Sequence, residues 1–155
     1  MEEEIHVPDD QELWASLPTL EGEAKADALS LLSISYSGSD KSQYAIALAE
    51  EAKDLYMAAG FDGSEIEFIW IWGVLAESNA ALERFNDAIE AGLKCLELYE
   101  RYFVPGYERF RWDLIRWYLE AYRFDEARAQ FEEMYGRYKF TSELVFSECE
   151  DIELE

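Results

Sequence analysis

Positive charge, histidine and chain-breaking residues are all scarce in this sequence. Its 155 residues include 13 Lys and Arg against 35 Asp and Glu, a formal net charge of −22. Nucleic-acid backbones and anionic membrane surfaces attract Lys and Arg, so neither is expected as a direct partner. The one histidine, His6, falls in an acidic lead where nothing rigid would position it as a general base. Cys95 and Cys149 are too far apart in character and sequence to suggest a disulfide framework or a metal site, and Cys95 reads as a small core residue. Glu148, Glu150 and Asp151 beside Cys149 lack calcium-loop spacing and read as a solvated tail.

Long apolar runs are missing too. The longest, Phe68 to Ala76, is nine residues, far below the roughly 20 that span a bilayer. The opening Met-Glu-Glu-Glu-Ile-His does not read as a signal peptide, so a cytoplasmic protein is expected. There is no Gly-x-Ser-x-Gly elbow, no His-Glu-x-x-His and no Gly-x-x-x-x-Gly-Lys phosphate loop. No enzyme, no cofactor and no metal are therefore expected.

Half the residues are apolar, with five Trp, ten Tyr and nine Phe, and only three Pro and eight Gly interrupt them. That composition predicts long packed helices around a continuous core. A leucine is followed thirteen residues later by an alanine three times, at Leu32 and Ala45, Leu75 and Ala88, and Leu114 and Ala127. A small or flexible residue stands seven further on each time, at Ala52, Cys95 and Met134. Recurrence at this period predicts stacked helix pairs.

Periodicity and breakers predict a short helical turn over 12–17, ended by Pro18, with Trp14 and Leu17 covering the first repeat. Six helices follow, over about 19–37, 42–59, 64–82, 86–103, 107–122 and 124–138. The buried faces are expected at Ala24, Ala28, Leu31, Leu32 and Tyr36 in the first, at Ala45, Ala49 and Ala52 in the second, and at Ile69, Trp72, Leu75 and Ala76 in the third. Ala88, Ile89, Gly92, Cys95, Leu96 and Tyr99 serve the fourth, and Ala127, Phe131, Met134 and Tyr135 the sixth. In 140–155, Phe140, Leu144 and Phe146 alternate as in a strand, while Val145, Cys149 and Ile152 fit a helix. A capping helix is preferred, because the last repeat of a solenoid exposes an apolar face.

The first helices read Leu29-x-x-Leu32-Ser33-x-x-Tyr36, Trp72-x-x-Leu75-Ala76-x-x-Asn79 and Arg111-x-x-Leu114-Ile115-x-x-Tyr118. The second helices open on Ala45-Ile46, Ala88-Ile89 and Ala127-Arg128, the last two behind Arg84-Phe85-Asn86-Asp87 and Arg123-Phe124-Asp125-Glu126. Over about residues 26 to 138 this resembles the tetratricopeptide repeat, whose pattern is Trp-x-x-Leu-Gly-x-x-Tyr, an aromatic before the second helix, then Ala and Ala. The repeats here are longer than the standard 34 residues. Arg111 and Ile115 depart from the family's large apolar and small residues, and the first unit lacks the aromatic before Ala45. The resemblance implies an all-α fold, a right-handed α-solenoid of three TPR-like helix pairs over 19–139. An acidic lead with a short helix over 1–18 and a cap with an acidic tail over 140–155 flank it.

It also implies a concave groove lined by the first helices. Trp70, Gly73 and Glu77 on the third helix, and Asp27, Ser30 and Ile34 on the first, would form its wall. Arg109, Trp112 and Arg116, followed by Glu120, would continue it on the fifth. Eight of the thirteen cations lie in this third unit: Arg101, Arg109, Arg111, Arg116, Arg123, Arg128, Arg137 and Lys139. Trp and Arg dominate binding hot spots, and arginine pairs bidentately with carboxylates, so an acidic or aromatic peptide is one expected ligand. Equally, Trp70 and Trp112 read as core residues and the arginines as balance for neighbouring acids. Ser30, Ile34 and Val74 occupy the places of the Lys and Asn set with which chaperone-binding members clamp a carboxylate, which argues against that activity.

The function expected is a non-catalytic protein-interaction module, a scaffold or adaptor that binds a peptide or protein partner through Trp70, Glu77, Arg109, Trp112, Arg116 and Glu120. An acidic DNA mimic that occupies a basic nucleic-acid-binding surface is an alternative. Self-association into a homo-oligomer through an exposed solenoid end is another. High negative charge also keeps an aromatic-rich protein in solution without further purpose.

Overall fold

The computed structural model describes residues 9–136, and among them every regular element is helical. The expected capping segment 140–155, with Cys149 and its acidic cluster, lies outside the described residues, as do His6, Arg137 and Lys139. The chain divides after Pro105 into two compact units. The first holds α1 (Asp10–Ser16), a 3-10 turn (Leu17–Thr19), α2 (Gly22–Tyr36), α3 (Ser42–Ala58), α4 (Phe68–Ala81) and α5 (Phe85–Tyr102). The second holds α6 (Tyr107–Glu120) and a further helix, α7, over 124–136.

Local chemistry sets where the helices begin and end. The Asp9 side chain accepts from the Glu12 amide and the Glu12 carboxylate accepts from the Asp9 amide, a capping box that satisfies two otherwise orphaned donors of α1. Pro18 has no amide proton, so the helix gives way there to the 3-10 turn. The helix expected from residue 64 begins only at Phe68, because the loop before it is closed on itself. Glu65 accepts from the amides of Asp62 and Gly63, and Asp62 accepts from the amide of Ser64. Gly63 sits at φ +91°, the left-handed region where a side chain is strained.

In the first unit each helix packs on the next, α2 on α3, α3 on α4 and α4 on α5, and α2 also meets α4. The joints within each pair are antiparallel: Tyr56 near the end of α3 reaches Asp27 near the start of α2. Cys95 on α5 donates to the Ile69 carbonyl of α4 at 3.3 Å, and Tyr102 at the end of α5 donates to the Ser64 carbonyl ahead of α4 at 2.8 Å. Small residues make the close approach possible. Ala26, Ala45, Ala49, Ala52 and Ala88 are all fully buried, and a methyl added at Gly73 would touch the Cys95 sulfur at 3.7 Å. Large residues fill the remaining space: Phe68, Ile69, Ile71 and Ile89 are buried, each worth about 1.5 to 3 kcal/mol of apolar transfer.

All six members of the recurring Leu and Ala spacing are core residues, with Leu32, Ala45, Leu75, Ala88, Leu114 and Ala127 each no more than 4 % exposed. Several other expected core positions are not. On α1 it is Leu13 that is buried, while Trp14 lies half open with its indole nitrogen donating to the Tyr36 hydroxyl at 3.1 Å. On α2 the buried face is Ala26, Ala28, Leu29 and Leu32, displaced from the Ala24 and Leu31 set, because the helix turns its other apolar residues toward α4 and open space. Trp72 is only partly buried and carries Lys94 over its ring at 4.4 Å. Phe131 and Tyr135 on α7 are exposed and stack on each other with centroids 6.4 Å apart.

Candidate interaction groove

In the first unit, α2 and α4 lie side by side and run in the same direction. Asp27 and Ser30 near the start of α2 share a cavity with Glu67 and Trp70 at the start of α4. Ten residues on, Ser37 donates to Glu77 at 3.0 Å across a separation of 40 residues. Two helices aligned in this way present facing rows of side chains. On α2 the row is Asp27, Ser30, Leu31 and Ile34, spaced by three and four residues and therefore on one face.

The result is a cavity of about 660 Å³ walled by Leu31, Ile34, Ile66 and Trp70. All four are substantially exposed, Trp70 at 53 %, so apolar surface here faces solvent instead of core. Tyr56 lines it from α3, its ring stacked on Phe61 and its hydroxyl donating to the Asp27 carboxylate. Burial, the bond to Asp27 and the charges of Asp27, Glu67 and Glu23 push the Tyr56 phenol well above its ordinary range, so it stays a donor at neutral pH. Asp27 and Glu67 are the two carboxylates of the lining.

Asp27, Ser30, Ile34 and Trp70 of the expected groove wall thus meet in one cavity, and Glu77 lies two turns beyond Trp70 on α4. Gly73 lies against Cys95, away from the cavity lining. Sequence reasoning missed four lining residues, Leu31, Tyr56, Ile66 and Glu67. Leu31 was distinguishable by its place, three residues from Ile34 and four from Asp27, and Ile66 by being apolar between two glutamates.

Arg109, Trp112, Arg116 and Glu120 belong to the second unit, on successive turns of α6. All four are exposed. Trp112, at 51 %, packs edge-on against Phe131 with centroids 5.9 Å apart, and Arg116 pairs with Asp113 at 2.5 Å. Neither Trp70 nor Trp112 is a core residue. The buried arginine of α6 is Arg111, only 2 % exposed, bonded to the Tyr107 hydroxyl and paired with Glu133 at 2.9 Å.

Among the described residues no group of three or more His, Cys, Asp and Glu is placed to hold a metal ion, and no helix is long and apolar enough to cross a membrane. The Cys95 thiol is buried and pushed up to about 12, first by burial and then by the Glu77 charge, so it is protonated at neutral pH. The chain matches no protein-family model and no curated protein.

Proposed function

We propose that this chain is a non-catalytic protein-interaction module, a right-handed α-solenoid of TPR-like helix pairs that receives a segment of a partner protein between its first helices. The observation that carries the reading is the α2–α4 cavity, with four exposed apolar side chains converging on one concave site. Exposed apolar surface gathered in a concavity marks interaction sites on folded proteins. The parallel setting of α2 and α4 and the antiparallel joints within each pair support the solenoid. The exposed row Arg109, Trp112 and Arg116 supplies a second contact surface on α6, aromatic and basic in character.

Affinity capture from native lysate tests the reading with the wild type, Trp70→Ala and Trp112→Ala/Arg116→Glu. All substituted side chains are exposed, so the variants are expected to keep wild-type helicity. A protein retained by the wild type and lost by Trp70→Ala is the expected outcome. Equal recovery of every bound protein by all three would overturn it. Displacement of the captured protein by duplex DNA would point instead to the acidic DNA mimic.

A further inference from the structure

The lining of the α2–α4 groove specifies more than an apolar ligand. Its apolar members, Leu31, Ile34, Ile66 and Trp70, leave room for a bulky side chain, and its charged members, Asp27 and Glu67, are both acidic. Among the described residues no lysine, arginine or histidine lines it. Asp27 and Glu67 thus concentrate negative potential in the lining, and Glu23 stands one turn before Asp27 on α2. Tyr56 occupies one oxygen of Asp27 only. The nearest cation on α2, Lys25, is committed to Glu51 of α3 at 3.1 Å.

Such a site rejects acidic ligands twice over. Carboxylates in the lining repel them locally, and the net charge of −22 repels them at longer range. The same charge opposes a second copy of this chain. A cation is drawn in, and the half-exposed Trp70 lines the same cavity as the carboxylates, an aromatic ring that a guanidinium or ammonium group can pack on.

We propose that the α2–α4 groove binds a linear segment of another protein that carries one bulky apolar side chain flanked by arginine or lysine. The apolar side chain enters between Leu31, Ile34, Ile66 and Trp70, and Asp27 and Glu67 hold the flanking cation. This rests on the groove reading above and specifies its ligand.

The test uses the full chain and three fluorescein-labelled peptides of about ten residues in a Gly and Ser background. The first has one tryptophan with two arginines on each side, the second has glutamates in place of the arginines, and the third has alanine in place of the tryptophan. Fluorescence anisotropy should show the first binding at least about tenfold tighter than either other peptide. Asp27→Asn/Glu67→Gln should bring the arginine and glutamate peptides within about threefold of each other. Glu90→Gln/Glu97→Gln, a substitution of two exposed carboxylates outside the groove, should leave the affinities as they were.

Equal losses in the two double variants, or equal binding of the alanine peptide, would mean general attraction to an acidic protein and would overturn the proposal. Equal binding of the arginine and glutamate peptides, both lost in Trp70→Ala, would overturn the ligand class and leave the groove standing. Affinities unchanged by Trp70→Ala would overturn the groove itself. A concentration-dependent dimer in sedimentation, dispersed by Trp70→Ala, would identify a second copy as the occupant and overturn the proposal.

Discussion

The guanidinium of Arg111 is held by the carboxylate of Glu133 at 2.9 Å, joining α6 to α7. Arg111 is buried and Glu133 is half exposed, so one partner has given up its water and the other has not. Removing the carboxylate leaves a buried charge with less compensation. Glu133→Ala is expected to destabilise the second unit by about 1 to 3 kcal/mol, toward the lower end because solvent screens Glu133. Chemical denaturation of the full chain, followed by the fluorescence of Trp112 and Trp117 in variants lacking the other tryptophans, would report it. An unchanged midpoint would show that the Glu133 pair contributes nothing to the stability of the second unit.

Ala88 stands at a fully buried contact of α5. Ala88→Leu adds volume where no space exists, and a loss of about 1 to 3 kcal/mol is expected from overpacking. Ala47→Leu, on the exposed face of α3, is the control and should change stability little. Equal effects of the two in urea titrations would remove the argument from close helix approach.

Glu83, after α4, sits at φ 58° although it is not a glycine. Its side chain is exposed, so nothing is lost by deleting it. Glu83→Gly should stabilise the first unit by about 0.5 to 1 kcal/mol through relief of left-handed strain, net of glycine's greater freedom in the unfolded chain. Thermal unfolding would show a raised midpoint, and a lowered one would contradict the strain.

Alkaline pH supplies a further expectation. Cys95 and Tyr56 titrate from ordinary values of 9.0 and 10.0 in the unfolded chain, and folding raises both, Cys95 to about 12. Below pH 9 both groups are protonated whether the chain is folded or not, and their contribution is flat. As pH rises from 9 toward 12, the unfolded chain sheds these protons first, so stability falls. Cys95→Ala should delay the onset of the fall by about one pH unit, leaving the share of Tyr56 and of Tyr99 and Tyr118, whose phenols burial also raises. A denaturation midpoint constant from pH 8 to pH 11 would contradict the burial of both groups.

Helices and their order were legible because period and breakers agree: the Leu and Ala spacing fell wholly in the core, and Pro18, Gly60 and Pro105 lie at or between helix ends. Faces were less legible where a helix carries apolar residues on two sides. Leu31 and Ile34 satisfy the same three- and four-residue steps as the true core residues Ala28, Leu29 and Leu32, and only the position of α4 separates them. The late start of α4 depended on loop hydrogen bonds from Asp62 and Glu65 that no periodicity announces. Burial of Arg111 required a partner 22 residues away. Among the groove residues, the resemblance of the helix motifs implied Asp27, Ser30, Ile34 and Trp70, whereas Tyr56 and Ile66 enter from a neighbouring helix and a loop that a pattern of first helices does not reach.

Cys95 makes the seam between α4 and α5 a clock. Its sulfur is enclosed, bonded to the Ile69 carbonyl and in reach of Gly73, so a thiol reagent meets it only when those helices part. In a Cys149→Ser background its labelling rate would measure how often the pair opens, without any added probe. A ligand seated between α2 and α4 would slow that clock to the extent that groove and seam open together.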